Sequence, residues 1–170
     1  MPRHSRALLI VLAGVLALGM AGPPMAADLP KADRVLVLKA AHRLELLKDG
    51  GVIKSYPIAL GRHPVGPKRR RGDGRTPEGI YTIDRHLPHS LYHRALHISY
   101  PNAADRARAR AAGVHPGGGI VVHGMPEPAG RRDPDRFFRD WTNGCISVGN
   151  TAIDEITAAV DDGTPIEIRP

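Results

Sequence analysis

The sequence predicts one mainly β domain with two or three short helices, and three observations support this class. Gly and Pro contribute 19 and 16 of the 170 residues, a share typical of turns and short strands rather than of a helical bundle. Hydrophobic residues make up 42% and aromatic residues only 4%, so the core must be mostly aliphatic. Short apolar runs bounded by turn residues recur along the chain. A length of 170 residues fits a single domain.

The first segment, 1–27, has the pattern of a secretory signal peptide. Arg3 and Arg6 give a basic start, the fourteen residues 7–20 carry no charge, and small residues follow at 21–27. The apolar run is shorter than the roughly 20 residues of a membrane-spanning helix, although an uncleaved anchor stays open. We therefore expect export to the periplasm or cell envelope, no stable membrane insertion after cleavage, and a single domain over 28–170.

Behind this segment the chain is expected to form mainly strands. Asp49-Gly50-Gly51 is a turn signal between two apolar runs and predicts a hairpin. Residues 61–79, rich in Gly, Pro and Arg, are expected to form a long loop. The predicted strands cover 34–39, 43–48, 52–60, 79–84, 95–100, 120–123 and 165–169.

Fewer segments show helical signals. Residues 102–112 are rich in Ala and Arg, with Asn102 as the expected cap and Gly113 as the stop. In 151–160, Asp154 follows Thr151 by three residues, which approximates a capping box, and the apolar residues share one face. A short helical turn is expected at 134–139.

The chemistry is concentrated around the single cysteine, Cys145, which cannot form an intramolecular disulfide or a cysteine-rich zinc site. It follows a glycine in the polar segment 140–148, and His123 ends the apolar run 120–123. An imidazole beside a thiol can take its proton and produce the nucleophilic thiolate. Small residues beside the cysteine would let backbone amides approach a developing oxyanion. From these residues alone, a catalytic pair and a structural pair both stay open.

The segment DWTNGCISV, preceded by IVVHG, resembles the signature of the L,D-transpeptidase catalytic domain (YkuD) family. The segment 73–79 is similar to the family's Thr-Pro-x-Gly stretch before a strand, and 100–107 is similar to a stretch of the Asp-Trp-Thr-x-Gly-Cys subgroup of YafK-type proteins. The resemblance covers roughly Val35 to Arg169 and implies an L,D-transpeptidase-like β-sandwich with the Cys and His in a cleft.

The resemblance also implies roles for the site residues. Cys145 matches the nucleophile, His123 the general base, and the backbone carbonyl of Gly124 the group that orients the imidazole. The amides of Asn143, Gly144 and Cys145 would form the oxyanion hole. The family needs no metal and no organic cofactor.

The implied substrate is the stem peptide of peptidoglycan. The thiol would attack the carbonyl at the L-centre of diaminopimelate, release D-alanine and leave a thioester that an amine of a second stem peptide or of a lipoprotein lysine resolves. With water as acceptor, the same site would act as an endopeptidase or carboxypeptidase that cuts peptidoglycan or lipoprotein–peptidoglycan links. A monomer is expected.

Four residues are assigned to substrate binding: Trp141, Thr142, Ser147 and Tyr100. Trp141 could wall the substrate cleft or anchor the loop before the cysteine, and anchoring is the favoured role. The sequence departs from many family members at two places, with Asn143 where His is common and Ser147 where Arg is common. These departures bear on how the substrate is held.

Two further patterns have ordinary explanations. His86, His89, His93 and His97 would share a face on a continuous helix and could bind zinc, but Pro88 interrupts the segment, and we expect a loop of surface histidines. The basic run 68–71, with further arginines at 106–110 and 131–139, contributes to a net charge of +7. Export and few aromatics argue against nucleic acid, leaving a solvated face or attraction to an acidic wall polymer.

Overall fold

A computed structural model describes residues 29–126 and 139–170. Within these residues the chain forms eight strands and two helices, which confirms the mainly β class. The elements in chain order are β1 Arg34–Leu38, β2 Arg43–Lys48, β3 Gly51–Pro57, β4 Gly79–Ser90, β5 His93–Ile98, α1 Ala103–Ala111, β6 Val121–His123, β7 Ile146–Ser147, α2 Asn150–Ala159 and β8 Pro165–Arg169. The predicted signal peptide over 1–27 and all but the last residue of the turn predicted at 134–139 lie outside the described residues.

The strands follow one another in the order β3-β2-β1-β8-β4-β5-β6-β7. The β1–β2 and β2–β3 pairs are antiparallel, whereas β8 lies parallel to β1. Strand β4 belongs to both halves of this arrangement: Gly79–Thr82 pairs with β8, and the part from Ile83 onward pairs with β5. Its register shifts after Ile83, and such irregularities bend a strand from one layer toward the other.

The segment that follows β3 brings the two ends of this strand order together. Ala59 forms an antiparallel bridge with Ser147 of β7, and Gly61 forms a parallel bridge with Thr142. The sheet therefore closes on itself as a sandwich around an aliphatic core. Fully buried members of that core include Leu44, Leu46, Ile83, Leu96, Ile98, Ile146, Ile153, Ile156, Ile166 and Ile168.

Strand β4 is longer than expected, and this corrects the interpretation of the histidine segment as a loop. His86 and His89 lie on β4, and His93 and His97 lie on β5. Pro88 is tolerated because it falls within the register shift between Leu87 and Ser90, where no ladder hydrogen bond is required of it. Strand β3, in turn, ends at Pro57 rather than at residue 60 because the chain leaves it to reach β7.

The two helices differ in how they begin. Asn102 caps α1 as predicted: its side chain accepts from the Asp105 amide at 3.0 Å, and the Asp105 carboxylate accepts from the Asn102 amide at 3.1 Å. The capping box predicted at Thr151 and Asp154 is wrong. Helix α2 starts one residue earlier, its N-cap is Gly149, and no side chain caps it.

Helix α2 packs against β5 through its apolar face, as the sequence pattern predicted. Ile153, Ile156 and Ala159 are buried. Neither α1 nor α2, the helices of the described residues, is long and apolar enough to cross a bilayer.

Candidate active site

Strands β6 and β7 place His123 and Cys145 in one part of the fold. The two strands are parallel, with Val122 opposite Ile146 and His123 opposite Ser147. Cys145 directly precedes β7, so extending the register by one residue puts it beside Val121. Because side chains alternate between the two faces of a strand, positions 121, 123, 145 and 147 belong to the same face of the strand pair. The pairing thus brings together two segments that the sequence separates by 22 residues.

The imidazole of His123 is held in one orientation. Its Nδ1 lies 2.6 Å from the carbonyl oxygen of Gly124, and because a carbonyl only accepts, Nδ1 carries the proton. In the neutral ring the basic lone pair is then on Nε2. The side chain is buried, the Tyr92 ring packs on it with centroids 4.4 Å apart, and Trp141 meets it edge-on at 5.6 Å. Backbone and aromatic contacts therefore fix both the tautomer and the ring plane.

Gly124 is glycine because its surroundings leave no room for a side chain. A Cβ there would lie 2.6 Å from Oδ1 of Asn150 and 2.9 Å from the carbonyl oxygen of Tyr92. The same Asn150 oxygen accepts from the Met125 amide at 2.6 Å, so the chain after His123 is tied to the first turn of α2. This anchoring positions the Gly124 carbonyl that orients the imidazole.

Thr142 organises the turn that carries the cysteine. Its buried hydroxyl donates to the carbonyl oxygen of Cys145 at 2.7 Å and accepts from the Gly144 amide at 3.0 Å. Gly144 has a φ of +131°, and a Cβ there would approach the Arg75 carbonyl oxygen to 2.5 Å. The sequence Thr-x-Gly-Cys thus supplies the hydroxyl and the glycine that this tight turn requires.

The same turn bears on the predicted oxyanion hole. The Gly144 N–H points at the Thr142 hydroxyl. The amides of Asn143 and Cys145 are therefore the better candidates for binding an oxyanion. The Asn143 side chain is exposed, and its carbonyl oxygen accepts from the guanidinium of Arg62.

Asp140 fastens the start of this segment to the other end of the sheet. Its Oδ1 accepts from the Leu60 amide at 2.7 Å, and its carboxylate lies 3.0 Å from Nε2 of His42. The Thr142 amide donates to the Leu60 carbonyl at 3.1 Å, and the Arg62 amide donates to the Thr142 carbonyl at 3.0 Å. These hydrogen bonds fix the segment before Cys145 against the segment that follows β3.

The loop over 61–78 is built around a buried ion pair. Asp73 accepts from Nζ of Lys68 at 2.8 Å and from the amides of Arg69, Arg70 and Arg75 at 2.7, 3.0 and 3.1 Å. Burial alone would raise the pKa of Asp73, but these four hydrogen bonds outweigh it and lower the pKa to about 2. The lysine side chain is almost fully buried, at 4% exposure.

Cys145 opens into a cleft of about 590 Å³. Its other walls are formed by Lys68, Arg71, Gly72, three consecutive glycines at 117–119, Ile120 and Asn143. The thiol lies 3.7 Å from the Gly119 carbonyl oxygen. Burial raises the pKa of the Cys145 thiol, and a backbone hydrogen bond at Val121 and the positive charge of Lys68 partly offset this rise. The resting thiol is thus protonated at neutral pH and needs a base to become nucleophilic.

The four residues predicted to bind substrate lie in different surroundings. Trp141 is half-buried against the His123 ring, and the Thr142 hydroxyl forms its hydrogen bonds within the turn. Ser147 is fully buried and its hydroxyl donates to the Met125 sulfur at 3.4 Å. Tyr100 is buried in the core, where its hydroxyl donates to the Pro116 carbonyl at 2.9 Å and burial raises its pKa to about 12. None of these four is among the residues that line the cleft at Cys145.

Sequence reasoning missed Tyr92, Asn150 and Asp73, and it treated Lys68 only as part of a basic run. Tyr92 lies at the β4–β5 turn and has no local motif, so nothing in its own segment points to His123. Asp73 had a usable signal, since an aspartate between two glycines in a basic loop commonly accepts from neighbouring backbone amides.

Three of the four histidines of β4 and β5 pair with carboxylates rather than with one another. His86 lies 2.6 Å from Asp162, His93 2.9 Å from Asp154, and His97 2.6 Å from Asp84. In the ranges 29–126 and 139–170, no group of three or more His, Cys, Asp or Glu side chains is arranged to hold a metal ion.

Comparison with known proteins agrees with this geometry. Residues 32–168 match the family described as L,D-transpeptidase catalytic domain. The chain is 32% identical over 153 residues to the Escherichia coli (strain K12) protein named "Putative L,D-transpeptidase YafK", an alignment that covers 85% of this chain and 52% of that protein.

Solved structures show the same fold. The helical cell shape determining protein Pgp2 from Campylobacter jejuni is 28% identical with a TM-score of 0.62, and the match covers 80% of this chain and 46% of that one. Bd1075 of Bdellovibrio bacteriovorus is 26% identical with a TM-score of 0.58, over 82% and 48% of the two chains. The chain thus spans about half the length of these relatives. Its sequence match and its fold together establish that it belongs to the L,D-transpeptidase catalytic domain family.

Proposed function

We propose that this protein is an exported cysteine acyltransferase that acts on the stem peptides of peptidoglycan. The observation that supports the proposal is the β6–β7 pair. It puts His123, whose Nδ1–H faces the Gly124 carbonyl, opposite Ser147, two residues from Cys145, and Cys145 is the only cysteine of the chain and lines a cleft. Membership of the L,D-transpeptidase family supplies the substrate class.

In the proposed first step, His123 takes the proton of the Cys145 thiol on Nε2, and the thiolate attacks the carbonyl carbon at the L-centre of diaminopimelate. The negative charge that develops on the carbonyl oxygen is stabilised by the amides of Asn143 and Cys145. The tetrahedral intermediate collapses, the bond to D-alanine breaks, and the imidazolium gives its proton to the leaving amine. A thioester on Cys145 and free D-alanine are the products.

In the second step, the amine of a second stem peptide or of a lipoprotein lysine attacks the thioester carbonyl. His123 removes a proton from that amine and returns it to the departing sulfur. An amide cross-link forms and the thiol is regenerated. If water attacks instead, the same steps release a free carboxylate, and the enzyme is an L,D-endopeptidase or carboxypeptidase that cuts peptidoglycan or lipoprotein–peptidoglycan links.

Further parts of the proposal concern the setting. Export is supported by the signal pattern of 1–27, and a role in cell shape is suggested by the similarity to a cell shape determining protein. A monomer is part of the proposal. The chemistry proposed for these residues uses no metal and no organic cofactor.

The test is mass spectrometry of the protein incubated with a disaccharide tetrapeptide, with Cys145→Ala and His123→Ala as matched variants. We expect an adduct on Cys145 that retains the tripeptide, loss of D-alanine, and then a cross-linked dimer. Adduct formation followed only by free tripeptide would identify the hydrolytic reaction. Turnover that persists in Cys145→Ala would overturn the assignment of the nucleophile.

A further inference from the structure

The cleft beside Cys145 has a positively charged wall. Lys68 and Arg71 line it, and no carboxylate is among the described residues that do. Both belong to the basic run 68–71, whose other two members, Arg69 and Arg70, line a separate depression with His63 and Arg75. One basic segment is thus divided between two faces, and only part of it faces the thiol.

Lys68 combines near-complete burial with a place in the wall of the cleft. Its side chain is 4% exposed, yet the residue is one of those that line the cleft. An ammonium group has three N–H donors, and among the described residues only Asp73 accepts from it, at 2.8 Å. Two donors therefore remain for a ligand. Asp73 also accepts hydrogen bonds from three backbone amides. Its carboxylate therefore holds Lys68 through one of the three N–H donors of the lysine.

Two contacts hold the wall in place. The Arg71 amide donates to the His115 carbonyl at 2.7 Å, which joins the basic loop to the glycine segment on the other side of the cleft. Gly117, at a φ of +89°, lets the loop pack closely, since a Cβ there would lie 3.0 Å from Cε of Lys68 and 3.4 Å from Cα of Arg71. A receptor fixed in this way loses little conformational entropy on binding.

We propose that Lys68 and Arg71 bind a carboxylate group of the donor peptide and thereby select acidic acyl donors at Cys145. Lysine and arginine side chains are suited to carboxylates through charge-assisted hydrogen bonds. The proposal deepens the proposed function and takes the peptide class of the substrate from it. The carboxylate-binding wall itself can be tested without any peptidoglycan chemistry.

The experiment compares two reagents that alkylate the single thiol of the full chain. Iodoacetate carries a carboxylate and iodoacetamide does not, so the ratio of their rate constants measures attraction of the carboxylate, while iodoacetamide alone reports thiol reactivity. We expect this ratio to fall about tenfold in Lys68→Met, the factor that corresponds to about 1.4 kcal/mol and to the low end for a hydrogen bond between charged groups. In Arg71→Gln, which alters an exposed side chain, we expect a fall of about threefold.

Arg70→Gln is the matched control, because it removes the same charge from the same loop on the other face. Its ratio should equal that of the unaltered protein. An equal fall in Arg70→Gln and Arg71→Gln would show general charge attraction and overturn the proposal, as would an unchanged ratio in both Lys68→Met and Arg71→Gln. The Arg71 variant keeps the test decisive if Lys68→Met fails to fold.

A second readout links the wall to the proposed reaction. With a tetrapeptide donor, Arg71→Gln should raise KM about threefold and leave kcat nearly unchanged, whereas Arg70→Gln should change neither. If the unaltered protein does not turn over the peptide but its alkylation ratio responds as expected, the proposed function fails and the carboxylate site stands. If the unaltered protein turns over the peptide but the alkylation ratio does not change in the variants, the carboxylate site fails and the proposed function stands.

Discussion

Replacing Asp73 with asparagine tests whether the ion pair under the basic loop stabilises the fold. The hydrogen bonds from Lys68 and three amides lower the pKa of Asp73 from its ordinary 3.8 to about 2. At about 1.4 kcal/mol for each pKa unit, this corresponds to about 2 kcal/mol of stability. Asp73→Asn should lose about this amount at pH 7, and up to about 4 kcal/mol if the buried Lys68 charge is left without its partner.

The pH dependence identifies the carboxylate as the cause. Because the pKa of Asp73 is lower in the folded protein, its contribution is complete above the unfolded value of 3.8 and is lost as the pH falls toward 2. Urea unfolding of both proteins should therefore show a difference that is constant from pH 7 to pH 5. By pH 3 the contribution of about 2 kcal/mol should have fallen by about half.

Asp161→Asn is the comparison variant, because Asp161 forms an exposed ion pair with Lys31. Exposed pairs contribute about 0–1 kcal/mol, so this variant should change the free energy of unfolding little. A loss in Asp73→Asn that is below about 1 kcal/mol at pH 7, or that is the same at pH 3 as at pH 7, would refute the reasoning.

Three further predictions concern the turn and its thiol. Gly144→Ala should destabilise the protein by about 2 kcal/mol or more, because a Cβ would lie 2.5 Å from the Arg75 carbonyl oxygen. It should also abolish the selectivity of Cys145 between iodoacetate and iodoacetamide. Calorimetry measures the loss of stability, and an unchanged Tm would contradict the prediction. Thr142→Val should cost about 1–3 kcal/mol by leaving the Cys145 carbonyl and Gly144 amide without the hydroxyl, whereas Thr142→Ser should restore most of it in the same urea titration. The rate of Cys145 alkylation by iodoacetamide should have a midpoint pH above the roughly 8.5 of a free thiol, because burial raises the pKa of the thiol. Lys68→Met should move this midpoint higher still, because it removes a positive charge that lowers the pKa. A midpoint near neutrality would be evidence against a protonated resting thiol.

The parts of the fold that local sequence determines were predictable. Strands β2 and β8 begin and end where the sequence pattern placed them, and Asn102 caps α1 because its amide oxygen and the Asp105 carboxylate act within one turn. The Asp49-Gly50 turn also forms, with positive φ at both residues. Each of these signals needs only neighbouring residues to act.

Long-range contacts determine the parts that were not predictable. Strand β7 has two residues and exists because β6 and the segment at Ala59 lie on either side of it. The length of β4 depends on β5, and the aromatic contact of Tyr92 with His123 depends on both. No periodicity within these segments reveals such partners.

The candidate site shows the same division. The turn residues Thr142 and Gly144 follow from a local motif, and the family resemblance pointed to Cys145 and His123. The positive charges of the run 68–71 could not show which of its side chains is buried. Only the packing around Asp73 separates the buried Lys68 from the exposed arginines that follow it.

The attachment of Asp140 to the segment after β3 has a consequence for how the thiol acquires its environment. Asp140 and Leu60 are 80 residues apart in sequence, and Asp140 and His42 are 98 apart. Contacts between such distant segments carry a loop-closure entropy that the rest of the packing must offset. The position of the segment before Cys145 therefore depends on contacts between residues that lie 80 and 98 positions apart in the sequence.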